Sequence, residues 1–216
     1  MKNFFLVCLS FGALLLSVSC GDGKKYHDQA ASKEIPSDQK LASIIEFQNS
    51  LNEEFSDPDV SPLPDRYRKD FQGLEFFEPD TLYSVLAKFV RTPDAIPFMM
   101  PTNTDRLSEE VVYGVVTFTL KGKEYQLEVY QNEELKSEEG FEDYLFLPFT
   151  DETNGELTYE GGRYIDLTIP EEDTLVIDFN KAYNPYCAYN KKYSCPLVPS
   201  QNHISTRILA GVKAFK

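Results

Sequence analysis

Residues 156–202 read ELTYEGGRYIDLTIPEEDTLVIDFNKAYNPYCAYNKKYSCPLVPSQN. Arg163, Ile165, Leu167 and Ile169 alternate with Tyr164, Asp166 and Thr168, the period of two expected of a strand with one buried face. The apolar run Leu175 to Phe179 is a second strand, and Gly161-Gly162 supplies the positive φ that a tight turn needs. This block decides for β structure.

Outward from it, further strands are expected at Leu82 to Val90, Val111 to Leu120, Tyr125 to Tyr130, Tyr144 to Phe149 and Ile204 to Val212. Lys121-Gly122, Asn154-Gly155 and Gly161-Gly162 are each expected to join two of them. So many antiparallel strands must curl or split to bury their faces, which predicts a mainly β sandwich or open barrel. One helix precedes the sheet, from Ser37 or Asp38 to Phe55, with Leu41, Ile44, Ile45, Leu51 and Phe55 on its apolar side. Pro58, Pro62 and Pro64 end it. The helix is expected to cover an edge or an open end of a single domain over 37–216.

The chain carries 35 acidic against 21 basic side chains, a field that repels nucleic acid and anionic headgroups. No nucleic-acid partner is expected. At the N-terminus, Lys2 and Asn3 precede the apolar run Phe4 to Val18, too short to span a bilayer comfortably and ending in small residues. Residues 1–19 therefore read as a signal peptide. The run Leu16-Ser17-Val18-Ser19-Cys20 resembles the lipobox of bacterial lipoproteins, which implies lipid attachment at Cys20. Asp22 does not directly follow Cys20, so the resemblance implies the outer membrane, with the domain facing the periplasm or the cell surface. Residues 21–36 show neither period and read as a flexible tether spanning about 20 to 25 Å.

Arg163 shares the strand face that should be buried, where an unpaired charge is costly. Either it lies at the strand end and reaches water or a backbone carbonyl, or it organises a polar pocket. Asp178 is the tempting partner, yet parity sets it opposite Leu175 and Ile177. Tyr164, Asn180, Tyr183 and Asn184 complete the set of polar groups around Arg163. The same rings and amides could equally tie the loop to itself.

The run TYEGGRY at Thr158, DFNKAYNPYCAY at Asp178 and Cys195-Pro196 resemble the bacterial domain of unknown function 1684 family. SPLP at Ser61, FQGLEFF at Phe71 and LFLPFTDETNGE at Leu145 extend the likeness over nearly the whole domain. Leu157, Val198 and Val212 depart from the family's pattern. The resemblance implies an envelope or secreted protein without an established activity.

Cys187 and Cys195 stand eight positions apart in a proline-containing loop outside the cytoplasm, so they are expected to form a disulfide worth roughly 2 to 3 kcal/mol. A zinc site needs more thiolates or imidazoles than His203 provides, and redox catalysis more usually shows C-x-x-C. No metal or cofactor is expected. Catalytic motifs are missing: there is no G-x-S-x-G, H-E-x-x-H or phosphate-binding glycine loop. Two functions remain. The first is a non-catalytic, outer-membrane-anchored lipoprotein domain that binds a small ligand or an envelope protein at the polar groups Arg163, Tyr164, Asp178, Asn180, Tyr183, Asn184 and His203. The second is an envelope hydrolase acting on an ester or glycoside with His203 or Asp178 as base.

Overall fold

A computed structural model describes residues 37–215. The signal peptide, Cys20 and tether expected over 1–36 lie outside the described residues. Helices α1 (Ser37–Ser56) and α2 (Asp65–Arg68) precede the sheet. The first four strands are β1 (Ser84–Arg91), β2 (Phe98–Pro101), β3 (Leu107–Leu120) and β4 (Lys123–Asn132). They are followed by β5 (Tyr144–Asp151), β6 (Arg163–Thr168), β7 (Thr174–Asp178) and β8 (His203–Ile204).

The main path runs β6-β5-β4-β3-β1-β7, all antiparallel, with β2 added to β3 and β8 added in parallel to β5. Although β6 and β7 are consecutive in the chain, they close opposite ends of this path, and the sheet curls into an open half-barrel. Side chains from the concave face of each long strand, among them Phe89, Val116, Leu127, Leu147, Ile165 and Ile177, meet in one core. The expectation of a mainly β, antiparallel open barrel with one leading amphipathic helix is met.

Lys121-Gly122 makes the hairpin turn between β3 and β4 as expected, with φ of 51° and 76° at its two central residues. The other two turn signals behave differently. Asn154-Gly155 and Gly161-Gly162 both fall in the single connection between β5 and β6. There the Asn154 amide donates to Thr158 Oγ1 (3.0 Å) and to the Tyr159 carbonyl (2.7 Å), folding the loop on itself instead of launching a hairpin. Strand β2 went unforeseen because four residues cannot establish a period.

The run expected as a strand from Ile204 to Val212 joins the sheet only at its start, where His203–Ile204 pairs with β5, and otherwise makes an isolated bridge from Val212 to Phe76. Beyond Ile204 the chain crosses the end of the barrel where β6 begins, tied down by Arg163. In an extended segment alternate carbonyls point the same way, so one guanidinium reaches those of Ile208 (3.0 Å), Ala210 and Val212 (3.4 Å). Helix α1 packs on the turns Thr81–Tyr83 and Phe179–Lys181 at this same end. Its buried residues are Ile44, Phe47, Leu51 and Phe55, while Leu41 and Ile45 are exposed. The apolar stripe is thus narrower than expected and turned to bring Phe47 toward a second cluster with Leu63, Leu74, Tyr189 and Val212.

Pro148 sits inside β5 and has no N–H to give to the ladder. The direct register between β4 and β5 is Tyr130↔Phe146. Nearer the hairpin end, the fully buried Asn202 side chain does the strand's work. It accepts from the Glu128 N–H (2.8 Å) and donates to the carbonyls of Glu128 (2.8 Å) and Pro148 (2.7 Å).

Candidate functional site

The convex face of the sheet builds a concavity. Register sets Glu110 opposite Asn132, Val112 opposite Tyr130, Tyr130 opposite Phe146 and Phe146 opposite Asp166, so alternate residues of β3 to β6 share the face turned from the core. The segment 183–196 folds over this face. Tyr183 pairs with Tyr164 through two backbone hydrogen bonds of 2.9 and 3.0 Å, and Pro196 bridges to Thr102. Leu51 and Glu54 of α1 complete the rim of a cavity of about 480 Å³.

Within it Asp166, almost fully buried, accepts from the hydroxyls of Tyr144 (2.9 Å) and Tyr183 (2.5 Å). Burial, and then the negative charge of Asp166, hold both phenols well above their ordinary pKa. The Tyr164 hydroxyl donates to the Pro196 carbonyl and that of Tyr186 to Glu54 Oε1. Arg106 donates to Ser194 Oγ and to the Ser194 carbonyl, both at 3.0 Å.

Glu110 is only 2% exposed. Its Oε1 accepts from Ser108 Oγ (2.9 Å) and Asn132 Nδ2 (2.8 Å), whereas Oε2 is buried without a hydrogen-bond partner. Desolvation raises its pKa above the usual carboxyl value against the opposing pull of Asn132, Ser108 and Arg106. The folded protein therefore holds this proton more tightly than the unfolded chain, so Glu110 makes stability fall as pH rises from the unfolded value through the folded one. Glu110→Gln is expected to remove that decline. Urea midpoints of both proteins from about pH 4 to about pH 8 test it, and an unchanged decline in the variant assigns the effect to another group.

Of the residues singled out from the sequence, Tyr164 and Tyr183 line this cavity. Arg163 does not reach water at the strand end. It is fully buried and paired with Asp151 (2.8 Å), not with Asp178. Asp178 accepts from the N–H (3.0 Å) and amide (2.8 Å) of Asn180, which also exchanges hydrogen bonds with the Asp80 backbone, both at 2.9 Å. Asn184 donates to the Tyr189 hydroxyl (3.2 Å) and the Lys213 carbonyl (3.0 Å). His203 is exposed, with Nδ1 3.0 Å from Thr150 Oγ1. These groups fasten loops and ends. Sequence reasoning missed Glu110, Asn132 and Tyr144; Glu110 precedes the apolar run Val111 to Leu120 and carries no local sign of burial.

The disulfide expected between Cys187 and Cys195 is not formed. Both are free thiols, and the Cys187 N–H donates to Cys195 Sγ at 3.3 Å. The hydrogen bond from the Cys195 thiol, the largest influence on Cys187, draws its pKa down to about 7. Among the described residues no group of three or more His, Cys, Asp or Glu side chains could hold a metal ion.

These features define a curled antiparallel half-barrel with a polar, aromatic-walled cavity outside its core. The chain belongs to the family described as protein of unknown function DUF1684, whose model matches residues 69–213. It is also similar to the uncharacterised protein of Haloarcula marismortui solved by solution NMR. The two are 30% identical, with a TM-score of 0.63 and coverage of 82% of this chain and 95% of that one. No curated protein matches the chain. The family resemblance drawn from the motifs is borne out.

Proposed function

We propose that the protein is a lipoprotein of the bacterial outer membrane whose folded domain binds a small molecule without transforming it. The observation that carries the binding reading is the cavity of about 480 Å³, walled by tyrosines and bordered by Glu110, whose buried Oε2 has no hydrogen-bond partner among the described residues. His203 and Asp178, named above as hydrolase bases, are committed outside that cavity. The anchor reading is supported by the apolar N-terminal run Phe4 to Val18 that leads into Cys20. Among the described residues no helix is long and apolar enough to cross a membrane.

Two experiments test this. A thermal-shift screen against charge-diverse metabolites should return stabilising compounds that lose their effect in Leu135→Trp, which fills the cavity from its rim. Compounds that stabilise both proteins equally would place binding elsewhere. Radiolabelled palmitate should enter the protein in growing cells and fail to enter Cys20→Ser, while equal labelling of the two would remove the anchor.

A further inference from the structure

The cavity's chemistry narrows the ligand, given the binding reading above. Among the described residues, five acidic side chains, Glu54, Glu110, Glu134, Glu138 and Asp166, border it against one cation, Arg106. That guanidinium is already engaged by Ser194 at 3.0 Å twice over. The wall is aromatic, and the hydroxyls of Tyr144, Tyr164, Tyr183 and Tyr186 all donate to protein oxygens. What the tyrosines present to a guest is therefore ring face and edge. Ring faces carry negative potential and attract cations. Glu110 adds the second, independent sign, because a buried carboxylate oxygen with no hydrogen-bond partner among the described residues lacks the donor or positive charge it needs.

We propose that the cavity binds a compact organic cation, an amine or quaternary ammonium, with its charge against Glu110 and the tyrosine rings. A group of this kind supplies the missing partner of Oε2 and is held by the carboxylate field without displacing Arg106 from Ser194. Anions are repelled by the same field.

Isothermal titration of the intact mature protein with choline, and with its uncharged isostere 3,3-dimethylbutan-1-ol, separates charge from shape. Putrescine serves as the primary-amine probe and acetate as the anion. The expected result is saturable binding of choline or putrescine, weaker by about tenfold or more for the neutral isostere and in Glu110→Gln, and none for acetate. Thermal unfolding of Glu110→Gln checks that this variant folds, and the isostere comparison needs no variant at all. If the isostere binds as tightly as choline, or only acetate binds, the cation assignment falls while the cavity remains a ligand site. If no probe binds and the wider screen also finds nothing that Leu135→Trp abolishes, both readings fall together.

Discussion

Arg163→Met is expected to lower the free energy of unfolding by about 3 to 5 kcal/mol, the cost typical of removing one partner from a buried ion pair. The guanidinium is fully buried and joins Asp151 to the carbonyls of Ile208, Ala210 and Val212. Methionine fills much of the space but supplies no donor. Asp151 cannot move to water, because its Oδ1 accepts from the N–H groups of Thr153 (2.9 Å) and Ile208 (3.1 Å). It is left as an uncompensated buried charge, and the segment crossing the barrel end loses its fastening. Urea unfolding of Arg163→Met measures the loss, and Arg163→Met/Asp151→Asn should recover part of it by neutralising the stranded acid. A single-variant cost under about 1 kcal/mol would show that the pair contributes little to holding that end.

Asn202→Ala is expected to cost about 2 to 4 kcal/mol, since it strands three backbone groups, the Glu128 N–H and the carbonyls of Glu128 and Pro148. Asn202 itself is fully buried. The effect should be local as well as global, because this amide stands in for ladder bonds that Pro148 cannot make. Hydrogen exchange at the Glu128 amide is expected to quicken more than exchange in β1 or β3. Asn202→Asp separates the two halves of the arrangement. A carboxylate can still accept from Glu128 but cannot donate to either carbonyl, so it should remain destabilised; a wild-type stability for it would mean the carbonyls need no donor from this side chain. The loss is also expected to reach the cavity wall at Phe146, whose register with Tyr130 joins the same two strands.

Sequence and structure agree at two places where a local rule governs. The alternation of Arg163, Ile165 and Leu167 is decided within one strand, and all three do lie on the core side. Lys121-Gly122 makes its turn with positive φ at both residues, as the dipeptide predicts. The candidate site was only partly legible. Tyr164 and Tyr183 were named from one continuous block that also holds Asp166, but Tyr144 and Glu110 arrive beside them from β5 and β3 through sheet register. Asp166 was correctly placed opposite the core, yet alternation alone cannot reveal that the segment 183–196 covers that second face.

By itself, the sequence determined a β-rich domain led by one helix, its kinship with the family, and the strand face on which Arg163 lies, because period, turn chemistry and motif are properties of neighbouring residues. Only the tertiary structure decided that Asp151 is the partner of Arg163, that residues 205–212 cross the barrel end instead of joining the sheet, and that the convex face is hollowed into a cavity. Each of these depends on which distant segment arrives to satisfy a buried polar group or cover an apolar one, and no local pattern encodes that choice.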